Sequence, residues 1–194
     1  MRIIAGHLKG RRLEAPSHGT RPTLDKIREA IFSRLENWDV VHDAVVLDLF
    51  AGSGSLALEA LSRGAKCATL VEKSGKAAQV ARRNITACGM GEAAIVSVAD
   101  ARAFLHSAAA SPASLNNGHG YDLVFLDPPY HLTDEVLTDT LAALLPLLDL
   151  DATVVIERDF RSPEPTLPEG LAPISGRRWG DTTVWFVKVE GSET

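Results

Sequence analysis

Residues 45–60 read VVLDLFAGSGSLALEA, and this stretch decides the fold. The apolar run over residues 45–50 is typical of a strand that is buried in a parallel sheet. Gly52, Ser53 and Gly54 follow as a glycine-rich loop, and a helix is predicted to begin near Ser55. The start of a helix presents free backbone N–H groups and a positive dipole end to a ligand. The stretch therefore predicts a ligand-binding loop at the carboxyl end of a strand.

The pattern of this loop, Gly-x-Gly-x-x-Ala, fits a dinucleotide as well as a methyl donor. Asp48 favours the methyl donor, because a carboxylate at that position would face a cationic amine rather than a pyrophosphate. Glu72 ends the next predicted strand, at the spacing expected of an acid that binds the ribose of either ligand. The alternative role for Glu72 is to cap the helix that begins at Ser74.

A second motif, Asp127-Pro128-Pro129-Tyr130, directly follows the apolar run Tyr121–Leu126. Two prolines make the turn stiff and remove two backbone donors, which suits a ligand site. A carboxylate acceptor beside the flat ring of Tyr130 suits the amine of a nucleobase. The alternative is a rigid turn in which Asp127 caps the next helix and Tyr130 packs in the core.

Strands and helices are predicted to alternate along the chain. A first helix begins at Pro22 and Thr23, with Thr23 as its N-cap. Strands are predicted over residues 45–50, 68–72, 94–98, 121–126 and 153–157, helices over 55–63, 74–88, 101–110 and 133–145, and a polar loop over 111–120. Residues 171–178 and 182–189 are predicted to form an antiparallel hairpin. The pattern predicts an α/β fold, a Rossmann-like, doubly wound, mostly parallel seven-stranded sheet with a C-terminal antiparallel hairpin and a small N-terminal β-hairpin and helix extension.

The charge of the chain is unevenly distributed, although the net charge is −5. Residues 1–34 contain eight basic and three acidic residues, which gives +5, and the other 160 residues contain 12 and 22, which gives −10. Gly6 and Gly10 predict a short hairpin-like arm within this basic region, and Arg177 and Arg178 form a second basic pair. A basic patch on an acidic body favours a nucleic-acid partner, and the alternative is a solvated face without a partner.

Four motifs resemble those of class I S-adenosylmethionine-dependent methyltransferases: Asp48 to Gly54, Glu72, Asp100 and Asp127 to Tyr130. Six further stretches resemble, more narrowly, the bacterial RsmD family: residues 1–6, 10–13, 21–23, 28–32, 61–65 and 179–182. The resemblance spans nearly the whole chain. It departs from the family pattern only in an insertion over residues 111–120 and in Trp179, which stands where a tyrosine is expected.

The resemblance implies a methyltransferase that acts on the N2 amine of a guanine in 16S ribosomal RNA, with guanine 966 as the expected target. The implied catalytic residues are Asp127, Pro128, Pro129 and Tyr130. The implied cofactor is S-adenosylmethionine, with S-adenosylhomocysteine as product, bound by Asp48, Phe50, Ala51, Gly52, Ser53, Gly54, Glu72, Lys73, Asp100, Ala101, Pro22, Thr23 and Arg28. Besides Glu72, two of these positions have structural alternatives, because Asp100 can cap the following helix and Thr23 can simply start one.

The implied RNA contacts are Arg2, Lys9, Arg11, Arg12, Arg21, Arg177 and Arg178. We expect residues 1–40 to be a basic RNA-binding extension and residues 41–194 to be the methyltransferase domain. The partner would be 16S ribosomal RNA, free, in the small subunit or in an assembly intermediate. We expect a cytoplasmic location, because the sequence has no signal peptide and no apolar run long enough to cross a membrane. We also expect the protein to be a monomer.

Other functional classes fit the sequence less well. The six histidines have no metal-ligand spacing, the serines form no Gly-x-Ser-x-Gly elbow, and Cys67 and Cys88 are expected to be reduced. An adenine-N6 DNA methyltransferase would share the catalytic residues but usually has a sizeable target-recognition domain. A protein glutamine methyltransferase generally has Asn in place of Asp127, and an NAD-dependent reductase would leave that motif unexplained. A non-catalytic ribosome-assembly factor is expected to have lost Asp127 or the glycine loop.

Overall fold

The computed structural model describes residues 1–15, 25–110, 119–129 and 132–191. Its helices are α1 (Asp25–Asn37), α2 (Ser55–Ser62), α3 (Gly75–Cys88), α4 (Ala101–Ala109) and α5 (Asp134–Leu144). Its strands are β1 (Val45–Asp48), β2 (Cys67–Glu72), β3 (Ala94–Val98), β4 (Tyr121–Leu126), β5 (Leu148–Asp159), β6 (Leu171–Trp179) and β7 (Thr182–Val189).

The seven strands form one sheet in the order β3-β2-β1-β4-β5-β7-β6. Strands β3, β2, β1, β4 and β5 run parallel to one another, whereas β7 is antiparallel to both β5 and β6. The predicted fold class is therefore confirmed. β1 lies between β2 and β4, so the strand order reverses on either side of β1, and the carboxyl ends of these three strands meet at one edge of the sheet.

Two hydrophobic clusters cover the two faces of the sheet. The first contains buried residues of α1, α2, α3 and the amino-terminal residues Ile3 and Leu13, and the second contains those of α4 and α5. Helices on both faces cover the apolar strands, as expected for a parallel sheet. Trp38, just after α1, packs edge-to-face on Phe186 of β7 with the ring centroids 5.3 Å apart.

Local sequence signals place most helix ends. Ser74 caps α3 by accepting a hydrogen bond from the Ala77 N–H, and Gly89 closes that helix with φ of 69°. Thr133 caps α5 in the same way through the Val136 N–H. The predicted start of the first helix at Pro22 and Thr23 lies outside the described residues, as do residues 111–118 of the predicted loop.

Two strands differ in length from their predictions by more than one residue. β1 ends at Asp48 rather than at residue 50, because the chain turns there into the glycine loop. Leu49 N and Ala51 N still donate to the neighbouring strands, at Phe125 O and Val71 O. β5 extends beyond the predicted residues 153–157, because β7 pairs with it as far as Asp159. The polar residues at the ends of β5 concealed this length in the sequence.

The amino-terminal residues form a hairpin, which we call the arm (residues 1–15). Arg2 and Arg12 pair antiparallel, and Ile3 N donates to Arg11 O at 2.9 Å. Ile3 and Leu13 are buried in the first cluster, so the arm packs on the same face as α1 and α2. The division of the chain at residue 40 remains a prediction.

Both cysteines have free thiols, and burial raises the pKa of each. No helix among the described residues is both long and apolar enough to cross a membrane.

Candidate active site

Three acidic residues meet where β1, β2 and β4 end. Asp48 is the last residue of β1, Glu72 is the last residue of β2, and Asp127 directly follows β4. Burial is the main cause of the raised pKa of Asp48, and the charges of Asp127 and Glu72 raise it further. The sheet edge predicted to hold a ligand is therefore strongly acidic and suits a cationic ligand.

Asp48 is only 1% exposed, and neither of its carboxylate oxygens accepts a hydrogen bond in good geometry within the described residues. Desolvation by burial raises its pKa from 3.8 to about 7, and the backbone N–H groups of Ala57 and Phe50 offset this rise in part. A buried, unsatisfied acceptor is costly, so its presence beside a glycine loop indicates a ligand position.

The glycine loop has the backbone that its sequence predicts. Gly52 and Gly54 have φ of 54° and 81°, a region that favours glycine, and Gly54 directly precedes α2. A Cβ at Gly54 would lie 2.7 Å from Leu70 Cδ2, so a side chain there would also collide with β2. Ala51 and Ser53 are buried and Phe50 is half-buried, which places the predicted loop residues together under the sheet edge.

Glu72 accepts two hydrogen bonds from the described residues. Its Oε1 accepts from Ser74 N at 2.6 Å, which is the capping role considered as the alternative, and its Oε2 accepts from Gly52 N at 2.9 Å. The second bond ties the glycine loop to β2 and was not expected from the sequence. Each carboxylate oxygen has two acceptor positions, so both bonds are compatible with further hydroxyl donors from a ligand.

Asp100 caps α4, as its alternative role predicts, by accepting from Arg102 N at 3.1 Å. Its other oxygen accepts from Lys73 Nζ at 3.1 Å, and this hydrogen bond lowers the pKa of Asp100. Ala101 is buried at the start of α4. Lys73 and Asp100 thus link the ends of β2 and β3, next to Glu72.

The second motif forms the turn that follows β4. Asp127 is half-buried, Pro128 is buried and Pro129 is exposed, while Tyr130 lies outside the described residues. The N-cap of α5 is Thr133, so the helix-capping role considered for Asp127 is filled by another residue. Asp127 thus lies at the acidic edge, consistent with contact to a ligand.

The contacts of Arg28 are made with α1, α2 and the arm rather than with the glycine loop. Arg28 is fully buried in α1, where it donates to Arg2 O and to Asp25 Oδ1 and forms an ion pair with Glu59 at 3.4 Å. Its predicted contact with the donor remains a prediction. Arg21, Pro22 and Thr23 lie outside the described residues.

Glu59 is an anchor for the arm that sequence reasoning missed. Its fully buried carboxylate accepts from Ile4 N at 2.8 Å, from Ala5 N at 3.0 Å and from Arg63 Nε at 2.8 Å. A signal was available, because Glu59 is the one charged residue in α2, where it lies among leucines and alanines. An acid in the middle of a buried helix needs partners from elsewhere in the fold.

Ser62 is a second anchor, one turn further along α2. Its hydroxyl donates to Ala5 O at 2.6 Å and accepts from Leu8 N at 3.0 Å. Gly6, with φ of 79°, lies so close to this helix end that a Cβ would be 1.8 Å from Ser62 O. The arm is therefore held by direct backbone contact and not only by its apolar residues.

The basic residues predicted to bind RNA form two groups. Arg2, Lys9, Arg11 and Arg12 are exposed on the arm, and Arg177 and Arg178 are exposed on the edge strand β6. The guanidinium of Arg178 lies 3.9 Å from the ring centroid of Phe160, and that of Arg177 lies 5.5 Å from the ring of Trp179. The two groups lie on different elements of the fold, and both could contact a large polyanion.

Comparisons with known proteins agree with this architecture. A family described as Conserved hypothetical protein 95 matches residues 1–188. Ribosomal RNA small subunit methyltransferase D of Escherichia coli strain K12 is 37% identical over 174 residues, which cover 87% of this chain and 79% of that protein. YlbH of Bacillus subtilis strain 168, provisionally named an rRNA methyltransferase, is 35% identical over 192 residues, or 98% of this chain and 100% of that protein.

A solved structure extends the agreement to the whole fold. That of yhhF from Escherichia coli, a protein provisionally assigned as a methyltransferase, has a TM-score of 0.81 and 33% identity, and the match covers 99% of both chains. Sequence and fold agree over nearly the full length, arm included. The chain belongs to the Conserved hypothetical protein 95 family, which is the RsmD family.

Proposed function

We propose that this protein transfers a methyl group from S-adenosylmethionine to the N2 amine of a guanine in 16S ribosomal RNA. The observation that carries the proposal is the acidic edge formed by Asp48, Glu72 and Asp127 around a glycine loop. The names of the relatives, as rRNA methyltransferases, support the reaction class and the substrate class. The first nucleotide to examine is guanine 966.

The acidic edge fits the methyl donor, which has a cationic sulfonium and a cationic amine. The unsatisfied carboxylate of Asp48 would accept hydrogen bonds from the amine, and the glycine loop allows the ligand to approach the backbone closely. Glu72 would accept from the ribose hydroxyls and Asp100 from the adenine amine, with Phe50, Ala51, Ser53, Lys73 and Ala101 around them. When bound, the donor supplies an electrophilic methyl group.

The protein's part in the reaction is to position and stabilise the target amine. The lone pair of an exocyclic guanine nitrogen is delocalised into the ring, so the amine must be held while it pyramidalises. Asp127 and the carbonyl of Pro128 would accept its hydrogen bonds, and Pro128 and Pro129 themselves have no N–H that could compete for these acceptors. Tyr130 would stack on the guanine. Alignment and stabilisation of developing positive charge would provide most of the acceleration.

The exposed basic residues of the arm support an RNA substrate. Lys9, Arg11 and Arg12 project from a hairpin that is fixed to the body through Glu59 and Ser62. Fixed cations can contact phosphates in a defined orientation and so bring one nucleotide to the acidic edge. A base in a loop or single strand costs little to turn outward, which favours RNA of that kind.

The test is single-turnover methylation of a 16S ribosomal RNA transcript by wild type and by Asp127→Ala, with donor affinity measured by calorimetry. We expect Asp127→Ala to reduce the rate by roughly a hundredfold or more while donor affinity changes little, because the contact strengthens in the transition state. Asp139→Ala is the control, since Asp139 is exposed and pairs only at the surface with Arg102. Near-normal turnover by Asp127→Ala would exclude the assigned role.

Mass mapping of the product then identifies the base and the atom that are methylated. N2-methylguanine in the transcript supports the proposal. N6-methyladenine in a DNA substrate would instead identify an adenine DNA methyltransferase, which would share the same catalytic residues. RNA binding without any methylation would indicate an assembly factor that retains the fold for binding alone.

A further inference from the structure

Asn84 of α3 contacts two regions that have separate roles in the proposed function. Its Oδ1 accepts from Glu14 N at 2.8 Å and its Nδ2 donates to Glu14 O at 3.0 Å, so it pairs with both backbone groups of a residue in the arm. The same Nδ2 donates to Ser53 O at 2.9 Å, which belongs to the glycine loop. One side chain therefore joins the arm to the loop.

The contact is buried and complete. Asn84 is 2% exposed, and both hydrogens of its amide nitrogen are used, one for each region. Loss of one partner would leave a buried amide hydrogen unsatisfied, which costs free energy, so the two contacts support each other.

The position of Ser53 makes this contact sensitive to the state of the donor site. Ser53 lies between Gly52 and Gly54, both in the left-handed region, and Gly52 N donates to Glu72, the acid that we assign to the ribose of the donor. A ligand that fixes this loop also fixes the Ser53 carbonyl and, through Asn84, the end of the arm. The neighbouring Arg83 also holds Glu14, at 2.9 Å, but that ion pair is more than half exposed and does not reach the loop.

The geometry points to Asn84 as a positioning residue that couples the glycine loop to the basic arm, so that methyl donor and RNA bind more tightly together than separately. This inference rests on the proposed function, which assigns the donor to the loop and the RNA to the arm. Coupling between two sites is reciprocal, so each ligand must raise the affinity for the other by the same factor.

The experiment measures the dissociation constant of S-adenosylhomocysteine with and without a 16S ribosomal RNA transcript. In wild type we expect the RNA to tighten binding by about tenfold, within the usual range of coupling between sites. Asn84→Ala should bring this ratio close to one, whereas Arg83→Ala, the matched control, should keep the wild-type ratio. A merely structural role for Asn84 would lower thermal stability or both affinities and leave the ratio unchanged.

A second variant and a second measurement cover the case in which Asn84→Ala fails to fold. Glu14→Pro removes the N–H that donates to Asn84 on the arm side and leaves Ser53 untouched. Without any RNA, S-adenosylhomocysteine should slow hydrogen exchange in peptides covering the arm in wild type, and should not do so in Glu14→Pro. Arm exchange that ignores the ligand in wild type overturns the inference.

The two proposals fail in distinguishable ways. If wild type methylates the RNA but binds S-adenosylhomocysteine equally well with and without it, the coupling is absent and the proposed function stands. If wild type binds neither S-adenosylhomocysteine nor the transcript, the proposed function is wrong and the coupling is wrong with it.

Discussion

Two buried carboxylates, Glu59 in α2 and Asp48 at the end of β1, have opposite surroundings. Glu59 is 0% exposed and is surrounded by two backbone N–H groups of the arm and by the side chains of Arg28 and Arg63. Asp48 is 1% exposed, and no described donor satisfies either of its oxygens in good geometry. The protein supplies donors and counter-charges to Glu59, which holds the arm on α2. Among the described residues it supplies no well-placed donor to Asp48, which lies at the proposed ligand site.

The largest expected effect is on stability, from removal of the Glu59 carboxylate. Glu59→Ala should destabilise the protein by about 3–5 kcal/mol, because Arg28 and Arg63 lose the one fully buried counter-charge that they share and two arm N–H groups are left unpaired. The acidic partners that remain, Asp25 for Arg28 and Glu36 for Arg63, are both partly exposed. Urea denaturation would measure this. Glu36→Ala is the control, since Glu36 pairs with the same Arg63 but is 47% exposed, and it should cost no more than about 1 kcal/mol. Equal losses of stability in Glu59→Ala and Glu36→Ala would show that the buried position of Glu59 gives it no special role.

Replacement of Asp48, whose carboxylate lacks well-placed donors among the described residues, should have the opposite effect and stabilise the ligand-free protein. The rise in the pKa of Asp48 from 3.8 to about 7 corresponds to roughly 4 kcal/mol of destabilisation above pH 7. Asp48→Asn should therefore stabilise the ligand-free protein by about 2 kcal/mol at pH 8, since the amide that replaces the charge is still imperfectly bonded. The same variant should weaken donor binding. Destabilisation at pH 8 would show that the carboxylate is satisfied in solution.

The pH dependence of stability gives an independent reading of Asp48. The folded state binds the proton of the Asp48 carboxyl more tightly than the unfolded state does. The contribution of Asp48 to the free energy of unfolding is therefore fully present below about pH 4 and is lost as the pH rises to about 7. The difference between wild type and Asp48→Asn in thermal denaturation should grow across that window and stay constant above it. A constant difference from pH 4 to 8 would contradict the assigned pKa.

Glu72 is intermediate between the two, because it has protein partners and a proposed ligand. Glu72→Ala should weaken donor binding by about 1–2 kcal/mol, roughly tenfold, and leave the rate at saturating donor nearly unchanged. Calorimetry and single-turnover kinetics measure the two quantities. Ser74→Ala is the control, since it removes the α3 cap, costs about 1 kcal/mol of stability and should not change donor affinity. An unchanged donor affinity in Glu72→Ala would leave only the capping role.

The smallest effect on the folded protein is expected from the exposed charges of the arm. Replacing Lys9, Arg11 and Arg12 together by Gln should leave thermal stability and donor binding near wild type, because these side chains are exposed. RNA methylation should be lost, and the slope of log affinity against log salt should become shallower by about 0.7–0.9 for each phosphate contact removed. The same replacement of Arg177 and Arg178 tests the second basic group. An unchanged slope in the arm variant would place the RNA elsewhere.

Local signals account for what could be predicted from the sequence. The apolar run of β1, the glycine loop and the caps Ser74 and Thr133 depend on neighbouring residues, and the structure contains all of them. The acids Asp48, Glu72 and Asp127 each lie at or near the end of a predicted strand, and parallel strands end at one edge of a sheet. These features need only the chain's own periodicity and the rule for parallel sheets.

Contacts between distant residues could not be predicted in this way. Glu59 and the arm residue Ile4 are 55 positions apart, and Asn84 and Glu14 are 70 positions apart. An isolated polar residue in a buried helix shows that some partner is needed but does not identify it. The length of β5 was missed for a similar reason, since its last residues are strand only because β7 pairs with them.

The position of β7 also has a consequence for how the protein is made. β7 follows every other strand in the sequence, yet it lies inside the sheet between β5 and β6, and its Phe186 packs on Trp38 beside the first helix. During synthesis on the ribosome, the arm and all five described helices, α1 to α5, can form before β7 emerges from the exit tunnel. Until then the flank of β5 and the ring of Trp38 remain uncovered, so the nascent chain exposes an open strand edge to chaperones and to other chains.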